Sequence, residues 1–137
     1  MISYRQADLR DKLRNPNGSN VFNVTFKYDE GATDFKFYYN SIDHMEGEDP
    51  GSTKWNYLHD TIVRIVKEER ATYSQMSMRA DVNIGTAFEM VNTIIDRLKA
   101  LTPIISAKKI SQETEDEPTP EHQNIPYIIK YKVQVVL

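Results

Sequence analysis

Residues 73–101 read YSQMSMRADVNIGTAFEMVNTIIDRLKAL, and the change of period inside them sets the fold class. From Met76 the chain alternates. Met76, Met78, Ala80, Val82 and Ile84 share one face, and Ser77, Arg79, Asp81 and Asn83 share the other. A period of two is the mark of a half-buried strand. Gly85 interrupts it. Thr86 and Glu89 then form a T-x-x-E capping box, in which each side chain accepts from a free backbone N–H at a helix start. Phe88, Val91, Ile94, Ile95 and Leu98 follow on one helical face, and Pro103 closes the helix. The stretch predicts a strand over 72–84 and a helix over 87–101.

Working outward toward the N-terminus, Thr61, Ile62, Val63, Ile65 and Val66 are densely β-branched, which favours a strand. Trp55, Leu58, Ile62, Ile65 and Val66 also fit one helical face. Both readings stand, and a strand over 61–69 is the expectation taken forward. Asp43 to Ser52 reads as a loop, with Asp43, Glu46, Glu48 and Asp49 among Gly47, Pro50 and Gly51. Phe22, Val24, Phe26 and Tyr28 alternate with Asn23, Thr25 and Lys27, and Phe35, Phe37 and Tyr39 alternate with Lys36, Tyr38 and Asn40. With Glu30-Gly31 between them, these runs predict a hairpin whose cross-strand aromatic pairs fix its register. Residues 3–14 predict a short amphipathic helix that starts at an S-x-x-Q box, carries Leu9 and Leu13 on one face, and stops at Asn15-Pro16-Asn17-Gly18.

Toward the C-terminus, Ile104 to Ile110 predicts a strand. Gln112 to Asn124 is polar, with Glu113, Glu115, Asp116, Glu117 and Glu121, and predicts a mobile acidic loop. The last stretch, Tyr127 to Leu137, alternates cleanly and predicts the best-defined strand. The expected fold is α+β. An antiparallel or mixed sheet carries helices 3–14 and 87–101, in one domain over 1–137 with acidic loops at 42–52 and 112–124.

The totals narrow the function classes. The 137 residues suit one core, and the formal charge of −3 offers no general attraction to nucleic acid or an anionic membrane. No apolar run approaches the roughly 18 residues of a membrane span. Cysteine is absent, which removes disulfides, thiol nucleophiles and thiolate metal sites. No serine sits in G-x-S-x-G and no phosphate-binding G-x-x-x-x-G-K-[ST] occurs, so no enzyme and no cofactor are expected. The histidines, His44, His59 and His122, lack metal-ligand spacing. Only if the two acidic loops met would His44 and His122 join Asp43, Glu46, Glu115 or Asp116 around a cation. Arg79, Lys108, Lys109, Lys130 and Lys132 are the candidates for a nucleic-acid face. Tyr131 between two lysines imitates a stacking platform, but it alternates onto the apolar side with Ile129 and Val133.

The order of features resembles the tail-terminator and neck (head-tail joining) proteins of long-tailed bacteriophages. The resemblance is carried by a short N-terminal helix, the run Met76 to Glu89 read as strand into helix, and a long final hairpin closing on Tyr127 to Leu137. It implies a structural virion protein, assembled in the host cytoplasm, that forms a homohexameric ring. The ring's partners would be copies of itself, the tail tube and the neck or connector proteins, with DNA only as passing cargo. Nine of the 20 acidic residues lie in the two loops, and around a lumen they would let DNA slide past. Asp43, Glu46, Glu48, Asp49, Glu113, Glu115, Asp116 and Glu117 are then the candidate interface or lumen residues. The rival expectation is a small acidic, cytoplasmic protein-binding or regulatory module without catalysis.

Overall fold

The computed structural model describes residues 20–32, 35–43, 53–77, 84–116, 119–121 and 127–137. Within them the elements run β1 (Val21–Asp29), β2 (Phe37–Asp43), α1 (Thr53–Ser77), α2 (Ile84–Lys99), β3 (Ser106–Asp116) and β4 (Ile128–Val136). The fold is α+β. One four-stranded sheet has the order β2-β1-β4-β3, every neighbouring pair is antiparallel, and two helices pack on it. The expected helix over 3–14 lies outside the described residues.

Strict alternation builds the two central strands. Phe22, Val24, Phe26 and Tyr28 of β1 and Ile129, Tyr131, Val133 and Val135 of β4 are buried on the face that meets the helices. Phe26 and Tyr39 are register partners with ring centroids 6.2 Å apart, and Phe37 stacks on Phe26 at 5.8 Å. The predicted aromatic hairpin is therefore present. Its turn is tied by Asp29, whose N–H donates to the Lys36 carbonyl at 2.8 Å and whose carboxylate accepts from the Gly31 N–H at 2.9 Å.

Between the hairpin and β3 the structure departs from expectation. Residues 61–69 are not a strand but the middle of α1, and Tyr73–Ser77, expected at the start of a second strand, are its last turns. The cause is a contest of magnitudes. In a strand, period two would put Arg64 and Glu68 on the same face as Ile62 and Val66. In a helix, Leu58, Thr61, Ile62, Ile65 and Val66 are buried together while Arg64, Lys67 and Glu68 stay exposed. A β-branched residue in a helix loses a few tenths of a kcal/mol, whereas burying an Ile or Leu side chain contributes about 1.5–3 kcal/mol. Burial decides. Residues 78–83 of the expected strand lie outside the described residues.

The expected helix over 87–101 is α2, displaced toward the N-terminus. It begins at Ile84, so Thr86 lies inside its first turn and not at the N-cap position that the capping box required. Its buried stripe is Ala87, Met90, Val91, Ile94, Ile95 and Leu98. Phe88, placed on that stripe by its spacing, sits at its margin and is 43% exposed. After Lys99 the chain turns through Pro103, with the Leu101 N–H donating to the Leu98 carbonyl at 3.1 Å. β3 then runs past Ile110 to Asp116, so Gln112–Asp116 is strand and not the loop its polarity suggested. β4 supplies the backbone partners, which lets both faces of this edge strand remain polar.

Candidate functional site

Among the described residues both helices lie on one face of the sheet, which leaves three surfaces: the face away from the helices and two edges. The face away from the helices is built from rows of register partners. One row is Asp43, Asn23, Gln134 and Lys108, read from β2 to β3. Another is Tyr38, Lys27, Lys130 and Glu113. Lys27 is bridged by Glu115 at 3.0 Å. That hydrogen bond, above all, raises the Lys27 ammonium and lowers the Glu115 carboxyl from their ordinary values. Lys130 and Lys132 are half-buried on this face, while Tyr131 between them is fully buried among the helices' contacts. Its ring is a core side chain, as the alternation predicts.

The edges carry the shape. Beside β2, the first edge strand, α1 leaves an open groove of about 370 Å³ lined by Tyr38, Tyr39, Val63, Val66, Lys67 and Arg70. The four helix residues follow i, i+3, i+4, i+7 spacing, one stripe of α1 that is apolar at its first end and cationic at its second. Val63 is 45% exposed. Arg70 also lies over the Phe35 ring, 4.4 Å from its centroid. The upper end of the groove is stiffened by Tyr39, whose hydroxyl is hydrogen-bonded to Nδ1 of His59 at 3.0 Å, and by Trp55 stacked on the same imidazole at 4.7 Å.

Beside β3, the second edge strand, the surface is a ridge. Ile84 and Phe88 project one turn apart from α2, and Ile110 is exposed at a β-bulge. The Lys109 ammonium sits 4.4 Å from the Phe88 ring centroid and donates to Gln112 Oε1 at 2.8 Å. Further along β3, Glu113 and Glu115 are exposed.

The acidic residues singled out in the sequence are thus divided. Asp43 ends β2, whereas Glu113 and Glu115 belong to β3 at the opposite edge, with β1 and β4 between. Asp116 is the last residue of β3. Their described parts are not brought together. Glu46, Glu48, Asp49, Glu117, His44 and His122 lie outside the described residues. Among the described residues no group of His, Asp and Glu is gathered for a metal ion, and no helix is long and apolar enough to cross a membrane. Sequence reasoning missed the groove because its stripe exists only if 63–70 is helical. No protein-family model matches the chain, and neither the curated proteins nor the solved structures compared with it provide a match.

Proposed function

We propose that this chain is a structural subunit that acts by assembling with copies of itself, and that its setting is the tail-terminator or neck ring of a long-tailed bacteriophage. The observation that carries the self-assembly reading is the open sheet, whose two edge strands, β2 and β3, stand at opposite ends and carry unlike surfaces. A subunit with two different edges can form a heterologous contact, the kind that closes rings. The phage setting draws on the resemblance, now on fewer elements. The strand expected at 72–84 is helical up to Ser77, so α2 and the long β3–β4 pair remain. In this reading the ring meets tail tube and connector proteins, and DNA passes through it as cargo.

The test is the mass of the purified chain by light scattering across a concentration series, followed by electron microscopy with and without phage tube protein. Closed rings that shorten growing tubes are the expected result. A monomer at every concentration that leaves tube length unchanged would overturn the reading in favour of an acidic protein-binding module.

A further inference from the structure

The two edges match each other in direction, shape and charge. Direction comes first. Because every neighbour in β2-β1-β4-β3 is antiparallel, β2 and β3 themselves run in opposite senses. A second copy placed beside the first in the same orientation therefore sets its β2 antiparallel to the first copy's β3. It also keeps all helices on one side. Shape is the second match, with an apolar ridge of Ile84 and Phe88 at one edge and an apolar-walled groove of Tyr38, Val63 and Val66 at the other.

Charge is the third, and it is read from the register. The row that ends in Asp43 on β2 ends in Lys108 on β3. The row that ends in Tyr38, beside Lys67 and Arg70, ends in Glu113. Side by side, one copy's Lys108 comes level with the next copy's Asp43, both on the face away from the helices, and its Glu113 comes level with the next copy's Tyr38. Opposite charges directly across neighbouring strands favour pairing. The bulges at Ile110 and Glu115 break the outer line of β3 and limit continuous backbone pairing to two short segments, Ser106–Lys109 and Ser111–Thr114. Side-chain insertion then carries the contact, with backbone pairing as a supplement.

We infer that copies of this chain associate head to tail, the α2–β3 ridge of one seated in the β2–α1 groove of the next. This specifies the contact within the self-assembly reading above, on which it rests.

The absence of cysteine makes the test direct. Asp43→Cys and Lys108→Cys are prepared as separate proteins, mixed, and treated with a short bismaleimide. Both positions are exposed. The expected result is cross-linked dimer in the mixture and not in either protein alone. The double variant should give a ladder of oligomers, and adding Phe88→Asp should abolish it while circular dichroism stays unchanged. No excess of cross-link in the mixture, or a ladder indifferent to Phe88→Asp, would overturn the inference. The two readings fail separately. Closed rings by mass without the mixture-specific cross-link would remove this contact and keep the ring. A ladder dependent on Phe88, from a chain that never closes or caps tubes, would keep the contact and remove the tail-ring setting.

Discussion

The Tyr39 hydroxyl on edge strand β2 is hydrogen-bonded to Nδ1 of His59 on α1, 3.0 Å away, and this pins the helix to the sheet at the head of the groove. The Tyr39 ring also packs on Phe26. Tyr39→Phe keeps the ring and deletes only the bond. The expected loss is about 0.5–1.5 kcal/mol, read as a lower urea midpoint at unchanged slope. A loss several times larger would mean that the hydroxyl holds more than this helix.

The same tyrosine sets an alkaline limit. Burial pushes the Tyr39 phenol up to about 12 from its ordinary value of 10.0. Tyr57, Tyr73 and Tyr131 are shifted the same way, chiefly by burial. The folded state therefore keeps protons that the unfolded chain releases near 10.0. Stability is fully present below that value and is lost as pH rises from there toward the folded values. Urea midpoints at about pH 8 and about pH 11 should differ, and Tyr39→Phe should narrow the difference.

Arg97 supplies the opposite, acidic limit. From α2 it donates to Glu69 at 3.1 Å and also to Glu68, tying the last turns of α2 to α1. The Arg97 hydrogen bond, ahead of other causes, holds the Glu68 carboxyl below its ordinary value of 4.5. Its contribution is present above 4.5 and is lost as pH falls through the lowered folded value. Arg97→Met should move acid unfolding to higher pH and make it less sensitive to salt, measured by circular dichroism against pH at low and high sodium chloride. An unchanged acid midpoint would mean that solvent already screens the pair.

How much of this was legible beforehand depends on how one-sided each segment is. β1 and β4 present apolar residues on one face except at their ends, where Val21, Ile128 and Val136 lie on the other, and both were readable residue by residue. Of the stripe expected on α2, Val91, Ile94, Ile95 and Leu98 are buried and only Phe88 is not; Ala87 and Met90 complete the buried face in its place. β3 beyond Ile110 carries no apolar alternation, because an edge strand can be held by β4 alone. In α1, local β-branched preference pointed one way and the burial of Leu58, Ile62 and Ile65 the other; only the second acts across the whole fold. The groove stripe of Val63, Val66, Lys67 and Arg70 disappeared with that misreading. Asp43 and Glu113 were both singled out from the sequence, but as loop residues. Their separation at opposite edges follows from the strand order, which no local pattern encodes.

That strand order also buries Tyr131 at the centre of the sheet, and the consequence is measurable. Its ring is fully buried against Phe37, centroids 6.5 Å apart, and its hydroxyl has no hydrogen-bond partner among the described residues. A buried hydroxyl without a partner carries a desolvation cost of about 1–3 kcal/mol. Tyr131→Phe removes the hydroxyl, keeps the ring contacts and should be neutral or raise stability by about 1 kcal/mol in urea unfolding. A clear loss would show that the hydroxyl is bonded in solution, and Tyr131 would then be a polar anchor of β4. The neutral or stabilised outcome makes it a core ring, and the lysines on either side of it then serve only the outer face.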